Sequence, residues 1–156
     1  MDTASPSDPF ELSRFVAAQD PIYEDVLGEL KNGFKRSHWM WFVFPQMSGL
    51  GTSRTSERYA IGSLAEARSY LGHPILGPRL LECTKAVNGL RGRTALDIFG
   101  APDNLKFCSS MTLFELVTGP GSEFSSALDT FYRGKRDPAT LRLVQELGGG
   151  NAQDRA

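Results

Sequence analysis

Residues 37–46 read SHWMWFVFPQ. His38 is one of two histidines in the chain and the group here best suited to exchange a proton near neutral pH. Trp39 and Trp41 are the only tryptophans, and Gln46 closes the stretch. An indole is a flat apolar wall suited to stacking on a nucleobase-like ring. A second group lies in DNLKFCSSMTLF, residues 103–114, where Lys106 precedes Ser109 and Ser110 by about one turn. A helix starting at either serine would aim free N–H groups, two hydroxyls and an ammonium at one anion. A helix running through from Pro102 would instead make Asp103 and Lys106 a weak i,i+3 pair, with Asp103 as a possible cap. Arg79 and Glu82, one turn apart in HPILGPRLLEC, form either an ion pair or an arginine that reaches a ligand and a carboxylate that orients it. Ser53 and Tyr59 belong to PQMSGLGTSRTSERYAIG, residues 45–62, where Arg58 reads as a surface residue.

The set is therefore His38 as the candidate catalytic group, with Trp39, Trp41, Gln46, Ser53, Tyr59, Arg79, Lys106, Ser109 and Ser110 as candidate ligand contacts. Each has a structural counterpart. As a helix capped by Ser37 and ended by Pro45, SHWMWFVFPQ is apolar on nearly every face, which is the pattern of a buried core element. Both readings hold for different residues: Phe42 and Val43 as core, His38 and one tryptophan as a pocket wall.

Familiar signatures are missing. No HExxH or CxxC spacing supports a metal site, and no motif asks for a cofactor. GLGTSR, residues 49–54, begins like a dinucleotide fingerprint but lacks its third glycine. No Walker motif or Gly-x-Ser-x-Gly elbow is present. Cys83 and Cys108 read as reduced thiols.

Helix-start signals set the elements that must carry these residues. Asp8-Pro9, Asp20-Pro21 and Asp137-Pro138 each place a capping carboxylate before a proline, and His73-Pro74 is a weaker version. Helices follow over 9–19, then from Pro21 to Gly33 with Ile22, Tyr23, Val26, Leu27 and Leu30 on one stripe. Ser63 and Glu66 form a capping box for a helix to about Leu71. Pro74 opens the next, with Gly77-Pro78 marking a kink or a late start. Thr94 and Asp97 bracket a short helix ending at Gly100. Residues 102–118 make one helix or two. Ser122 and Asp137 cap the last two. The sum is an all-α single domain of seven or eight helices over 8–147, with disordered ends at 1–7 and 148–156. Residues 45–62 form one long loop, a length that marks function or mobility.

The 156 residues suit one domain. Net charge is −1, distributed as −6 over residues 1–30, +6 over 31–106 and −1 over 107–156. The basic middle either lines a cleft or lies against the acidic first helices. Its dispersion argues against a nucleic-acid polymer as partner. No run approaches the ~20 apolar residues of a membrane span. MDTASPSD lacks the features of a secretory signal, so a cytoplasmic location is expected.

SHWMWFVFPQ, GLGTS, YAIGSLAEARSYLGHPILGPRLLEC and IFGAPDNLKFCSSMTLF together resemble the domain-of-unknown-function family numbered 1810, over roughly residues 9–147. Some members carry a calpastatin-like label, but nothing in this sequence resembles a calpain-inhibitory repeat. The resemblance implies a mostly helical fold and carries no catalytic residue over. It covers His38, Trp39, Trp41, Gln46, Ser53, Tyr59, Arg79, Lys106, Ser109 and Ser110. The expectation is a pocket for an anionic, nucleotide-like small molecule, with hydrolysis or group transfer as the reaction class should there be one. The alternative is a non-catalytic protein-interaction module, including self-association.

Overall fold

The structure, a computed structural model, describes residues 7–148. Ten α-helices and one π-helical turn make up its regular structure, with no strand beyond a single bridge between Met47 and Ile61 among the described residues. The fold is all-α, as expected. The expected disordered ends lie outside the described residues, save Ser7 and Gly148.

Local grammar explains most boundaries. Asp8 accepts the N–H groups of Leu12 (2.6 Å) and Ser13 (3.1 Å). Glu11 takes a left-handed φ of 54°, which delays α1 to Ser13–Gln19. The helix α2 (Tyr23–Lys31) buries Tyr23, Val26, Leu27 and Leu30, the expected stripe. Asp20 does not cap it. That carboxylate pairs with Arg79 instead, at 2.9 Å, so acidic and basic segments meet here.

Ser37 does not open a long helix. Glu29 of α2 collects the N–H groups of Arg36 and Ser37, the Ser37 hydroxyl and the Trp39 indole N–H. Those bonds hold the entry non-helical, and only Met40–Val43 forms α3. Residues 45–62 are not one loop either. Backbone bonds Ile61→Gln46 (2.9 Å) and Ser48→Ile61 (2.8 Å) clip the base, and α4 (Arg54–Arg58) forms within.

The helix α5 (Leu64–Gly72) starts at Ser63, whose hydroxyl accepts the Glu66 N–H. The Glu66 carboxylate takes the Gly62 N–H at 2.9 Å. His73 caps α6 (Leu76–Asn88) more firmly than its type suggests, with Nδ1 accepting from Ile75 and Leu76. Gly77 and Pro78 fall in the first turn of α6, where proline fits without a kink. Thr94 and Asp97 form a complete capping box on α7 (Ala95–Phe99). Residues 103–118 form one helix, α8 (Asp103–Thr118). Ser122 caps α9 (Glu123–Tyr132), and Asp137 caps α10 (Pro138–Leu143), which runs on into a π turn over Val144–Gly148.

The centre is α8, packed against α5, α7, α9 and α10. It buries Phe107 and every residue from Ser109 to Phe114, so its sequence is apolar or small on all faces. Aromatic rings join it to its neighbours. Phe107 meets Phe44 at 4.9 Å and Phe99 at 4.6 Å, and Phe114 meets Tyr70 at 5.5 Å and Phe124 at 5.8 Å. No helix among the described residues is long and apolar enough to cross a membrane.

Candidate functional site

The unbroken α8 removes one expected anion site. Ser109 and Ser110 lie mid-helix, where their N–H groups serve the helix. The Ser109 hydroxyl bonds Asp137 (2.9 Å) and the Leu105 carbonyl (3.2 Å), so it helps seat α10. The Ser110 hydroxyl is fully buried and has no partner. Asp103 makes no cap; it pairs with Lys35 at 2.9 Å and Lys106 at 3.6 Å.

Arg79 and Glu82 do not pair. The Arg79 guanidinium reaches Asp20 at 2.9 Å and Gln19 Oε1 at 3.3 Å, and lies 4.8 Å from the Tyr23 ring centroid. Tyr23 donates its hydroxyl to Glu82. Gln19 in turn donates to the Phe42 carbonyl (2.6 Å) and the Tyr70 hydroxyl (3.0 Å). The network ties α1, α3, α5 and α6 together beside Cys83, whose thiol burial pushes up to about 12. Each of its residues has at least one partner, and it is a structural tie.

The two tryptophans separate. Trp39 is buried in the core at 2 % exposure, anchored to Glu29 through its indole N–H at 2.9 Å. Burial pushes the Glu29 carboxyl up, but the bonds from Ser37, Arg36 and Trp39 outweigh it and hold the group below its ordinary 4.5. Trp41 is half-buried and lines a recess with Gln46, Ser48, Gly49, Ser56, Glu57 and Tyr59. Lys106 Nζ stands 5.2 Å from the Trp41 ring centroid, within cation–π range. On Tyr59 the Arg58 guanidinium stands at 5.6 Å. Two rings of the recess thus each carry a cation. Tyr59 also packs against Phe42 (5.2 Å) and Phe15 (5.8 Å), which fixes its ring.

Part of the polar lining is unspent, although the Ser56 hydroxyl is engaged with Ser53. The side chains of Gln46, Ser48 and Glu57 make no hydrogen bond with other described residues. Ser53 stays outside, capping α4 through Ser56 N–H at 3.1 Å. His38 is exposed and is not among the lining residues. The expected set therefore divides: Trp41, Gln46 and Tyr59 line the recess, Lys106 stands over the Trp41 ring without lining it, and Trp39, Arg79, Ser109 and Ser110 belong to the core or its ties. The sequence does not single out Lys35 or Glu57, and Arg58, a candidate with a surface role as its default, stands over Tyr59. Lys35 is 7 % exposed in its side chain and 5.1 Å from the Trp39 ring, and only the pairing of distant segments reveals it.

The recess is small as it stands, about 20 Å³, room for one water molecule. Larger grooves of about 760 and 740 Å³ run along α1, sharing Phe10, Ser13 and Ala17. Several charges on their walls are committed, while the Glu11 carboxylate and the Arg58 guanidinium on the second groove have no ion-pair partner among the described residues. Asp8 caps α1, Asp20 holds Arg79, and Arg14 donates to Arg58, Ala60, Phe10 and Glu11 carbonyls and to Glu66. Cys108 is a half-buried free thiol, pushed up to about 11 by burial, and Cys83 is also free.

The crystal structure of the conserved hypothetical protein Rv1873 from Mycobacterium tuberculosis is similar at 54% identity, with a TM-score of 0.86, covering 88% of this chain and 98% of that one. No curated protein matches the chain. A family model described as "Protein of unknown function (DUF1810)" matches residues 9–144, and the chain belongs to that family.

Proposed function

We propose that the chain binds a small anionic molecule carrying a flat ring, nucleotide-like in outline, at the Trp41–Tyr59 recess. The observation that carries this reading is Lys106. Its ammonium stands over Trp41, and its one carboxylate partner, Asp103, lies farther from it (3.6 Å) than from Lys35 (2.9 Å). Two ammoniums share one carboxylate, so a net positive charge remains beside the indole. Trp41 and Tyr59 would stack the ring, Gln46 would hydrogen-bond its edge, and Lys106 would hold the phosphate or carboxylate.

The proposal is one of binding and assigns no reaction. His38 lies away from the recess, and His73 spends its Nδ1 on backbone N–H groups. Thermal denaturation against nucleotides, ADP-ribose and sugar phosphates tests it. A compound at 100 times its dissociation constant adds about 2.7 kcal/mol. Lys106→Ala and Trp41→Ala should each abolish the shift. A shift that survives both substitutions places the ligand elsewhere, and no shift with any compound refutes the proposal.

A further inference from the structure

A recess that holds one water cannot admit a ring and an anion together. Either the reading above fails, or the recess opens. The segment with least to lose by moving is α4. It has five residues, none of them buried, so lifting it takes no buried side chain of its own out of the core. A helix that short has no stability of its own. Its start rests on the Ser53 cap and on Ser56, whose hydroxyl bonds the Ser53 carbonyl at 2.9 Å.

Both ends of the segment are defined. Below, the Met47–Ile61 bridge clips the base. At the far end, Arg14 Nε takes the Arg58 carbonyl at 2.8 Å and its NH2 takes the Ala60 carbonyl at 2.9 Å. At the near end, Gly49 adopts a φ of 102°, open to glycine and strained for other residues. Between these anchors Gly51 lies against Ser56: a Cβ at Gly51 would sit 2.5 Å from both Cβ and Oγ of Ser56. The closed position therefore requires glycine at 51, opposite a residue of the helix itself.

We infer that α4 is a hinged cover on the Trp41–Tyr59 recess, and that Ser56 and Glu57 ride on it to complete the binding site. The inference rests on the binding reading above. Glu57 lines the recess with an unpartnered carboxylate, suited to accept hydrogen bonds from a sugar hydroxyl or a ring amino group. The anionic part of the ligand would reach Lys106, which stands over Trp41 and belongs to α8 rather than to the cover. The hinge lies between Gly49 and Gly51 on one side and the Arg14-held Arg58 on the other.

The test uses the Gly51–Ser56 contact. In a Trp39→Phe background Trp41 is the sole tryptophan, and, excited at wavelengths where tyrosine does not absorb, its quenching by acrylamide reports access to the recess. Gly51→Ala should prop α4 away and raise the quenching constant about twofold or more. Gly51→Ala with Ser56→Gly removes both clashing atoms and leaves the nearest Ser56 atom, Cα, at 4.0 Å. That pair should return quenching to the parent value, with Ser56→Gly alone as control and circular dichroism confirming each fold. Unchanged quenching in Gly51→Ala overturns the cover.

Hydrogen exchange supplies a second measurement on the unaltered chain. The Glu57 and Tyr59 amides should exchange at least about tenfold faster than those of Ser48 and Ile61 at the base. Equal protection overturns the cover. Adding adenosine monophosphate should slow the α4 amides, and inorganic phosphate alone should slow them less. Fast α4 exchange that neither compound changes supports the cover and counts against the ligand reading; a thermal shift with a protected α4 does the reverse.

Discussion

Arg79 and Lys106 make the same kind of contact in different surroundings. Each cation stands over a ring, Tyr23 at 4.8 Å and Trp41 at 5.2 Å. Arg79 is surrounded by partners: Asp20, Gln19, and through Gln19 the Phe42 carbonyl and Tyr70. Lys106 shares one carboxylate at 3.6 Å, and the Trp41 ring beneath it lines a recess where Gln46, Ser48 and Glu57 have free polar atoms. A cation–aromatic pair thus has two meanings, and the neighbours decide between them. Where the cation is tied to several partners, the pair secures the fold. Where donors and acceptors are left over beside a half-buried indole, something from outside can use them.

Substitutions can break this contrast, and the largest effect belongs to the saturated side. Gln19→Ala should cost about 2–3 kcal/mol in urea unfolding, because it strips hydrogen bonds from buried groups on three elements. A loss below half of that would show the network to be ornamental. On the other side, Trp41→Ala should cost about 1–2 kcal/mol, since the ring is only half-buried, yet remove any ligand response entirely. Lys106→Ala should cost less than about 1 kcal/mol and remove that response as well. Equal stability losses for Gln19→Ala and Lys106→Ala would erase the distinction.

A smaller effect follows from Glu29. Its carboxyl is held below 4.5 in the folded chain, so its ionised form stabilises fully above that value. That stabilisation disappears as pH falls through the depressed folded value. The difference in urea midpoint between wild type and Glu29→Gln should therefore shrink from about pH 6 to about pH 3. A pH-independent gap would mean that the bonds from Ser37, Arg36 and Trp39 do not depend on the charge. The smallest effect concerns the thiols. Cys83 should resist a disulfide reagent in the native chain, and Cys108 should react slowly, both becoming fast in denaturant.

Much of the helical framework was legible because caps are local. Ser63, Thr94, Ser122 and Asp137 each act within three residues of where they stand, and the spacing of types alone shows it. Asp20 misled for the complementary reason: its local role was outcompeted by Arg79, which no window of neighbouring residues contains. The same holds for SHWMWFVFPQ. Its helical pattern was overridden by Glu29, eight residues before Ser37, which claims the N–H groups a helix entry would have used. The choice between Trp39 and Trp41 was not legible, because the deciding partners, Glu29, Lys35 and Lys106, come from three segments. Gln46 and Tyr59 could be picked out by type, but their meeting with Trp41 at one recess depends on the base clip at Met47 and Ile61.

Arg14 spends all five of its N–H donors, on Phe10, Glu11, Arg58, Ala60 and Glu66. No lysine can replace it, since an ammonium offers three donors and no fork. One residue near the start of the chain therefore fastens a segment more than forty positions later. Trypsin can read that link directly. When α1 frays, the backbone after Arg54 and Arg58 is released with it, so the first nick in a heated sample should fall far along the sequence from the residue that does the fastening.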